Sequence, residues 1–300
     1  MKNKRTPLNS FIIAVIAILL TILIAGPFVF MILTTFKQIG EVMRFPPKLL
    51  PDSFYLQNYV KALHSYIPRA FLNSLFVSAM SVIVTLLLSL PAAYAFSRLN
   101  FPGRNFFFML TLSTMMIPQG LLVVPMFNIM KNMPLVSSEY GWIDTFPGLI
   151  FPFLSIGFIT FYVRQYFLGI PRSLDEAARI DGANKLQVFF MVILPLAKPA
   201  LSLAVIFSFM NKWNDYLWPM AIIRSENHYT IQIAIKMFQG QFNTDWPMML
   251  TGATVSVIPI LILYVAFQKG FEQGLSGASA GMKEKHIHIN YFKSKKEVLL

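Results

Sequence analysis

Long apolar runs alternate with short polar stretches along this chain, and six of the runs stand out, at about 11–35, 71–96, 106–130, 146–168, 200–223 and 249–268. Each is long enough to cross the ~30 Å hydrocarbon core of a bilayer as an α-helix, which takes about 20 residues. The polar stretches between them are too short to bury a core of their own. The pattern predicts an all-α integral membrane protein with six transmembrane helices in a single domain, residues 1–300. The first run follows MKNKRTPLNS, which has the charge of a secretion signal. Its apolar part is too long for one, and Pro27 stands where a small-residue cleavage site would be needed. It reads as an uncleaved helix.

Composition agrees with that reading. The chain is 56% hydrophobic and only 13% charged, where soluble domains carry about 25% charged residues. It has no cysteine, which excludes disulfide frameworks, thiolate metal sites and cysteine nucleophiles. A net charge of +12 suits a nucleic-acid partner until its distribution is considered. If both termini share a face with 97–105 and 164–199, that face holds sixteen of the 25 Lys and Arg, against eight for 36–70, 131–145 and 224–248. The positive-inside rule then puts both termini in the cytoplasm. Bilayer orientation thus accounts for much of the charge, and no nucleic-acid partner is implied. The tail 283–300, KEKHIHINYFKSKKEVLL, is read as flexible or as lying on anionic lipid headgroups.

The most structured polar segment is SLDEAARIDGANKLQVFFMVILPLAKP, residues 173–199. Ser173 suits an N-cap, with Glu176 three residues on as its capping-box partner. Gly182 suits the left-handed turn that ends a first short helix. ANKLQVFFMVIL then keeps a helical pattern until Pro195 and Pro199 interrupt it. The grammar predicts two short helices joined by a tight turn, inside a cytoplasmic loop 169–199. A well-capped connecting loop would look the same. Adjacent Ala177 and Ala178, beside Leu174 and Ile180, instead make a small apolar knob that another protein can approach closely.

These residues carry a resemblance. Glu176, Ala177, Ala178, then Gly182, then Val192, Leu194 and Pro195 resemble the EAA motif of ABC-importer permease subunits, with Val192 where that family most often has Ile. SRLNFPGR (97–104), IPRSLDEAARIDGA (170–183), WNDYLWP (213–219) and FQKGFEQGLSGASAGMK (267–283) extend it over about residues 50–282. They are similar to the carbohydrate-uptake branch, in particular to subunits of the smaller maltose-permease type. The resemblance implies a type I importer transmembrane domain in a bacterial cytoplasmic membrane. It implies as partners a second homologous permease, two ATPase subunits, an external solute-binding protein and a carbohydrate substrate. Residues 173–199 would hold the coupling helix, with Glu176, Ala177, Ala178, Asp181 and Gly182 at the ATPase. Pro171 and Pro195 would link it stiffly to the flanking spans. The chain has no G-x-x-x-x-G-K-[ST] phosphate loop. ATP and Mg would therefore belong to the partner, leaving this chain non-catalytic and without a cofactor.

Polar groups inside the fifth run are the other candidates. In FMNKWNDYLWPM, residues Asn211, Asn214, Asp215 and Trp218 fall at i, i+3, i+4 and i+7, one face of a continuous helix. Amides, an acid and an aromatic plate suit a sugar, which offers hydroxyls at its rim and C–H groups on its face. The same groups also suit helix–helix packing, with a Lys212–Asp215 pair, and Trp213 and Trp218 suit interfacial anchors. In the outer segment, the resemblance implies that Gln239, Gly240, Gln241 and Asn243 face the solute-binding protein, and a surface re-entrant loop with no partner would read the same way. His64 and His228 are isolated, and His286 and His288 have no acid or thiol beside them, so no metal site is expected. An ion-coupled secondary transporter would need acids in the membrane, and only Asp215 could serve. An ABC permease for a non-sugar solute would share these motifs.

Overall fold

A computed structural model describes residues 7–134, 140–240 and 244–268, with side chains from residue 13 onward. Gln241, Asn243 and the tail 283–300 lie outside the described residues. Among the described residues every element is helical, apart from one isolated bridge between Gln239 and Thr244.

The helices follow the apolar runs in order. α1 (Pro7–Thr34) covers the first run, α2 (Gln57–Leu63) lies in the polar stretch after it, and α3 (Ile67–Arg98) covers the second. The third run is divided into α4 (Arg104–Ser113) and α5 (Gln119–Lys131). The fourth is divided into α6 (Phe146–Ile150) and α7 (Ile156–Gly169). α8 (Arg172–Ile180) and α9 (Lys185–Leu196) fill the charged segment, α9 containing a π-helical stretch Val188–Ile193. The fifth run holds α10 (Lys198–Trp213) and α11 (Leu217–Ile222). α12 (Ile231–Met237) precedes α13 (Trp246–Gln268), which covers the sixth run.

Three of these helices are long and apolar enough to cross a membrane: Ile13–Thr34, Ile67–Arg98 and Trp246–Gln268. Two bent pairs, turning by 100° between α4 and α5 and by 81° at the end of α9, raise the number to five if each pair is one span. Proline accounts for both bends. Pro118 is the N-cap of α5, and Ala197 at the second bend lies between Pro195 and Pro199. The expected fourth span is not one helix. α6 has 5 residues and α7 has 14, and they are separated by non-helical backbone in which Phe153 takes φ 56°. Pro152 in that gap has no N–H to donate to Gly148 O, which the Trp218 indole satisfies instead.

The described residues divide into two compact units, one of residues up to 71 with 230–258, the other of residues 72–229 with those from 259 onward. In the first, the polar end of α1 is tied to α2. The Asn58 amide donates to the carbonyls of Thr35 and Lys37, both at 2.8 Å, and Thr35 shares a 2.8 Å hydrogen bond with the Tyr59 hydroxyl. α12 buries Ile231, Ile233 and Ala234, and Tyr66 stacks on Phe238 with ring centroids 5.3 Å apart.

The second unit has a core built by α3, α7, α9 and α10. Ala93 and Tyr94 come from α3, Ile159, Val163 and Phe167 from α7, Val188, Phe189 and Ile193 from α9, and Ala204 from α10. Buried hydroxyls bind carbonyls where the fourth run is broken: Ser81 donates to Ile150 O at 3.4 Å and Ser89 to Ile156 O at 3.2 Å. In hydrocarbon such pairing is what makes interrupted backbone tolerable.

Candidate functional site

Two places in the second unit gather the candidate residues. The first is the α8–α9 segment. α8 begins two residues earlier than its sequence grammar suggests: Pro171 is the N-cap, so Ser173 lies within the helix and makes no capping bond, and Glu176 has no box to complete. The extended Ile170–Pro171 backbone sets the start, because proline's fixed φ orients the first turn without any side-chain cap. The capping box sits one helix later. Asn184 Oδ1 accepts from Gln187 N at 2.9 Å, and Asn184 N donates to Gln187 Oε1 at 2.8 Å.

Between these starts, Gly182 takes φ 88° as expected. Ala183 N donates to Ala178 O at 2.9 Å and Gly182 N to Arg179 O at 3.0 Å, which is the Schellman pattern. A Cβ added to Gly182 would meet nothing within 4 Å. Backbone conformation, not crowding, therefore calls for glycine here.

Glu176, Ala177, Asp181 and Gly182 are exposed, whereas Ala178 is half-buried and packs with Ala183 against the core beneath. The two alanines thus have different faces: Ala178 lets α8 sit close to the core, and Ala177 belongs to the outer surface. That surface is mixed: Ile180 at 87% and Leu174 at 41% exposure, with Leu186 of α9 at 68%, stand among exposed Arg172, Glu176, Arg179 and Asp181. The base is polar and buried. Arg98, the last residue of α3, donates to Ile170 O at 2.8 Å and meets Asp175 of α8 at 3.3 Å, and the Tyr94 hydroxyl donates to Lys185 O at 3.1 Å. Sequence reasoning missed the Arg98–Asp175 pair, because no local pattern joins residues so far apart.

The second place is where the third and fourth runs are interrupted, beside α10 of the fifth. A cavity of 650 Å³ is lined by Thr114, Ile117 and Gln119 at the first break, Phe153 and Ser155 at the second, and Phe207 and Asn211 on α10. Non-helical backbone at membrane depth is accommodated where it lines such a cavity. Of the four residues placed on one face of the fifth run, only Asn211 lines it. α10 ends at Trp213 with Asn214 as its C-cap, so the i, i+3, i+4, i+7 face does not exist as a continuous surface. Asn214 is exposed, and Asp215 accepts from the Trp218 backbone N–H at 3.3 Å. Trp218 is fully buried, its indole N–H donating to Gly148 O at 2.8 Å and its ring edge-on to Phe153. Lys212 turns to the carbonyls of Leu149 and Pro152, at 2.9 and 2.5 Å, instead of pairing with Asp215. Trp213 is also buried, stacked on Phe209, so neither tryptophan stands free as an interfacial anchor. Gln119 and Ser155 were missed because single polar residues in apolar runs carry no periodic signal.

In the first unit, Gln239 and Gly240 are exposed just beyond α12, where Gln239 bridges to Thr244 and accepts from the Lys236 ammonium. Among the described residues no three His, Cys, Asp or Glu come together as a metal site.

Comparisons with known proteins agree with these features. The family described as the binding-protein-dependent transport system inner membrane component matches residues 85–277. The arabinooligosaccharides transport system permease protein AraQ of Halalkalibacterium halodurans is 32% identical over 280 residues, covering 92% of this chain and 98% of that protein. The sulfoquinovosyl glycerol transport system permease protein SmoH of Agrobacterium fabrum is 33% identical over 258 residues, covering 85% and 87%. A chain of a bacterial ABC transporter that imports the acidic polysaccharide alginate superimposes with a TM-score of 0.75 at 27% identity, covering 89% of this chain and 99% of that one. With an all-helical fold, a capped helix pair and a family match over most of its length, the chain belongs to the binding-protein-dependent inner membrane components, the non-catalytic permease subunits of ABC transporters, which bind no cofactor themselves.

Proposed function

We propose that this chain forms half of the translocation pathway of an ATP-driven importer for a sugar or oligosaccharide. It crosses the membrane six times with both termini in the cytoplasm, the broken fourth run completing the count. A second homologous permease supplies the other half, two ATPase subunits bind and hydrolyse Mg-ATP, and an external solute-binding protein delivers the substrate. α8 is the coupling helix. Its outer surface, with Glu176, Ala177 and Asp181 among exposed Leu174 and Ile180, docks in a cleft of one ATPase. Ala178 and Gly182 set its closeness to the core and its terminal turn. Gln239 and Gly240, with Gln241 and Asn243, face the binding protein.

The observation that carries this reading is the contrast across α8, between an outer surface that leaves Leu174 and Ile180 exposed among charged side chains and a base fixed to the core by Ala178, Asp175 and the Schellman turn. A connecting loop needs the second and has no use for the first. Rigid seating allows a push on the outer surface to become rotation of the attached helices. The cavity supports a polar solute with apolar faces, since Gln119, Ser155 and Asn211 offer hydrogen bonds beside Phe153, Phe158 and Phe207. The names of the relatives, transporters of arabinooligosaccharides and sulfoquinovosyl glycerol, favour a carbohydrate.

The test is reconstitution in proteoliposomes with its partner permease, ATPase and binding protein. Uptake of labelled oligosaccharide should require ATP inside and the binding protein outside. Uptake by this chain alone, or uptake driven by an ion gradient without ATP, would overturn the reading.

A further inference from the structure

α8 is covalently joined to α7 on one side and, through the glycine turn, to α9 on the other. α3 has no such connection, although it supplies Ala93 and Tyr94 to the same core. Whatever moves α8 reaches α3 only through noncovalent contacts. Near the C-terminal end of α3, three polar contacts reach the α8–α9 segment and its entry, Arg98 to Ile170 O, Arg98 to Asp175 and Tyr94 to Lys185 O, while Arg164 of α7 adds a fourth by donating to Phe96 O at 3.2 Å. Tyr94 adds a ring contact to Phe189, centroids 4.9 Å apart.

The Arg98–Asp175 pair is unusual in two ways. It is buried, with side-chain exposures of 2% and 11%. Its geometry is also slack: the contact is 3.3 Å, and neither Arg98 Nε nor Asp175 Oδ1 has a well-formed hydrogen bond. A buried pair with unused donor and acceptor capacity is weak evidence of a stabilising role, because desolvation offsets the attraction between its charges. It can, however, tighten if α8 rotates by a small amount, because charge-assisted hydrogen bonds strengthen sharply as they shorten and straighten. Such a pair is suited to holding two elements in register while one of them turns.

We propose that Arg98 is a positioning residue for coupling, tying α3 to the base of α8 through Asp175 and Ile170 so that movement of the coupling helix is passed to α3 as well as to the helices on either side of it. This rests on α8 being the docking element. Arg98 touches neither the docking surface nor the cavity, so its effect lies in transmission.

The experiment uses the full complex in proteoliposomes and reads two quantities, ATPase co-purification and the ratio of substrate imported to ATP hydrolysed. Arg98→Gln should leave co-purification at the wild-type level and lower the ratio about tenfold, in the range seen for residues that carry coupling between sites. The charge swap Arg98→Asp with Asp175→Arg should recover the ratio to within about threefold, since it restores the pair in reverse. The chain has no cysteine, so Arg98→Cys with Asp175→Cys can be joined by a short bis-thiosulfonate linker. The linked form should couple and its reduced form should not. A wild-type ratio in Arg98→Gln overturns the proposal. So does loss of co-purification and ratio together that neither swap nor linker restores, which would make the pair merely structural. Failure of the docking reading itself appears separately, as unchanged co-purification in Ala177→Asp.

Discussion

Residues 170–197 and the interrupted backbone around the cavity differ in where their determinants lie. In the α8–α9 segment nearly every bond that shapes the backbone joins residues at most five apart: the proline start, the Gly182 turn and the Asn184–Gln187 box. Around the cavity the determinants are distant in sequence. Lys212 caps carbonyls at 149 and 152, and Trp218 reaches Gly148, about sixty to seventy positions away. A segment exposed to water, as α8 and its turn are, carries its own capping. A break within the membrane has no water to satisfy it and must borrow donors from neighbouring helices. Polar residues in the fifth run are thus divided between two tasks, with Asn211 facing the cavity and Lys212 and Trp218 supporting the backbone around it.

This comparison breaks most visibly at Trp218. Trp218→Ala removes a fully buried indole and its hydrogen bond to Gly148, which should destabilise the subunit by about 3–5 kcal/mol, and the complex should fail to assemble when purified. A stable, transport-deficient complex would instead make Trp218 a substrate contact. Lys212→Met, which keeps the apolar stem and leaves the Leu149 and Pro152 carbonyls unpaired, should cost about 1–3 kcal/mol. Thermal unfolding of the detergent-solubilised complex would show this as a lowered midpoint with ATPase capture unchanged.

Gly182→Val should cost about 1–2 kcal/mol by placing a β-branched residue at positive φ. Its signature differs from that of Lys212→Met, because the membrane core stays intact while ATPase capture declines. The smallest effects lie inside the fifth run. Asn211→Ala should lower import about threefold to tenfold, the loss of one hydrogen bond of about 1 kcal/mol, with the thermal midpoint unchanged. Asn214→Ala, at an exposed C-cap outside the cavity, should leave import near wild type. Equal losses at both positions would restore the continuous polar face that the structure breaks.

The same contrast explains how much could be read from the sequence. Five of the six apolar runs correspond to a long helix or a bent pair, because hydropathy reports immersion regardless of backbone detail. The turn at Gly182 was legible, since only glycine is at ease there. Ser173 and Glu176 matched a capping box that the preceding proline made unnecessary, while the actual box lay eleven residues further on at Asn184. The face assigned to Asn211, Asn214, Asp215 and Trp218 assumed an unbroken helix, and periodicity has no term for an interruption held open by another run. Asp175 and Arg98 were in plain view as a first-turn acid and a helix-end base, yet their pairing depends on tertiary structure alone.

Docking of its outer surface on an ATPase is what would distinguish α8 from an ordinary connection. It is tested most directly by co-purification with tagged ATPase after Ala177→Asp, at an exposed position that supports no packing in this chain. An unpaired charge pressed into an apolar cleft costs several kcal/mol, so recovery of ATPase should fall at least about tenfold while the partner permease stays bound. Full recovery of ATPase with this variant, together with wild-type import, would contradict docking and return α8 to an ordinary connection between spans.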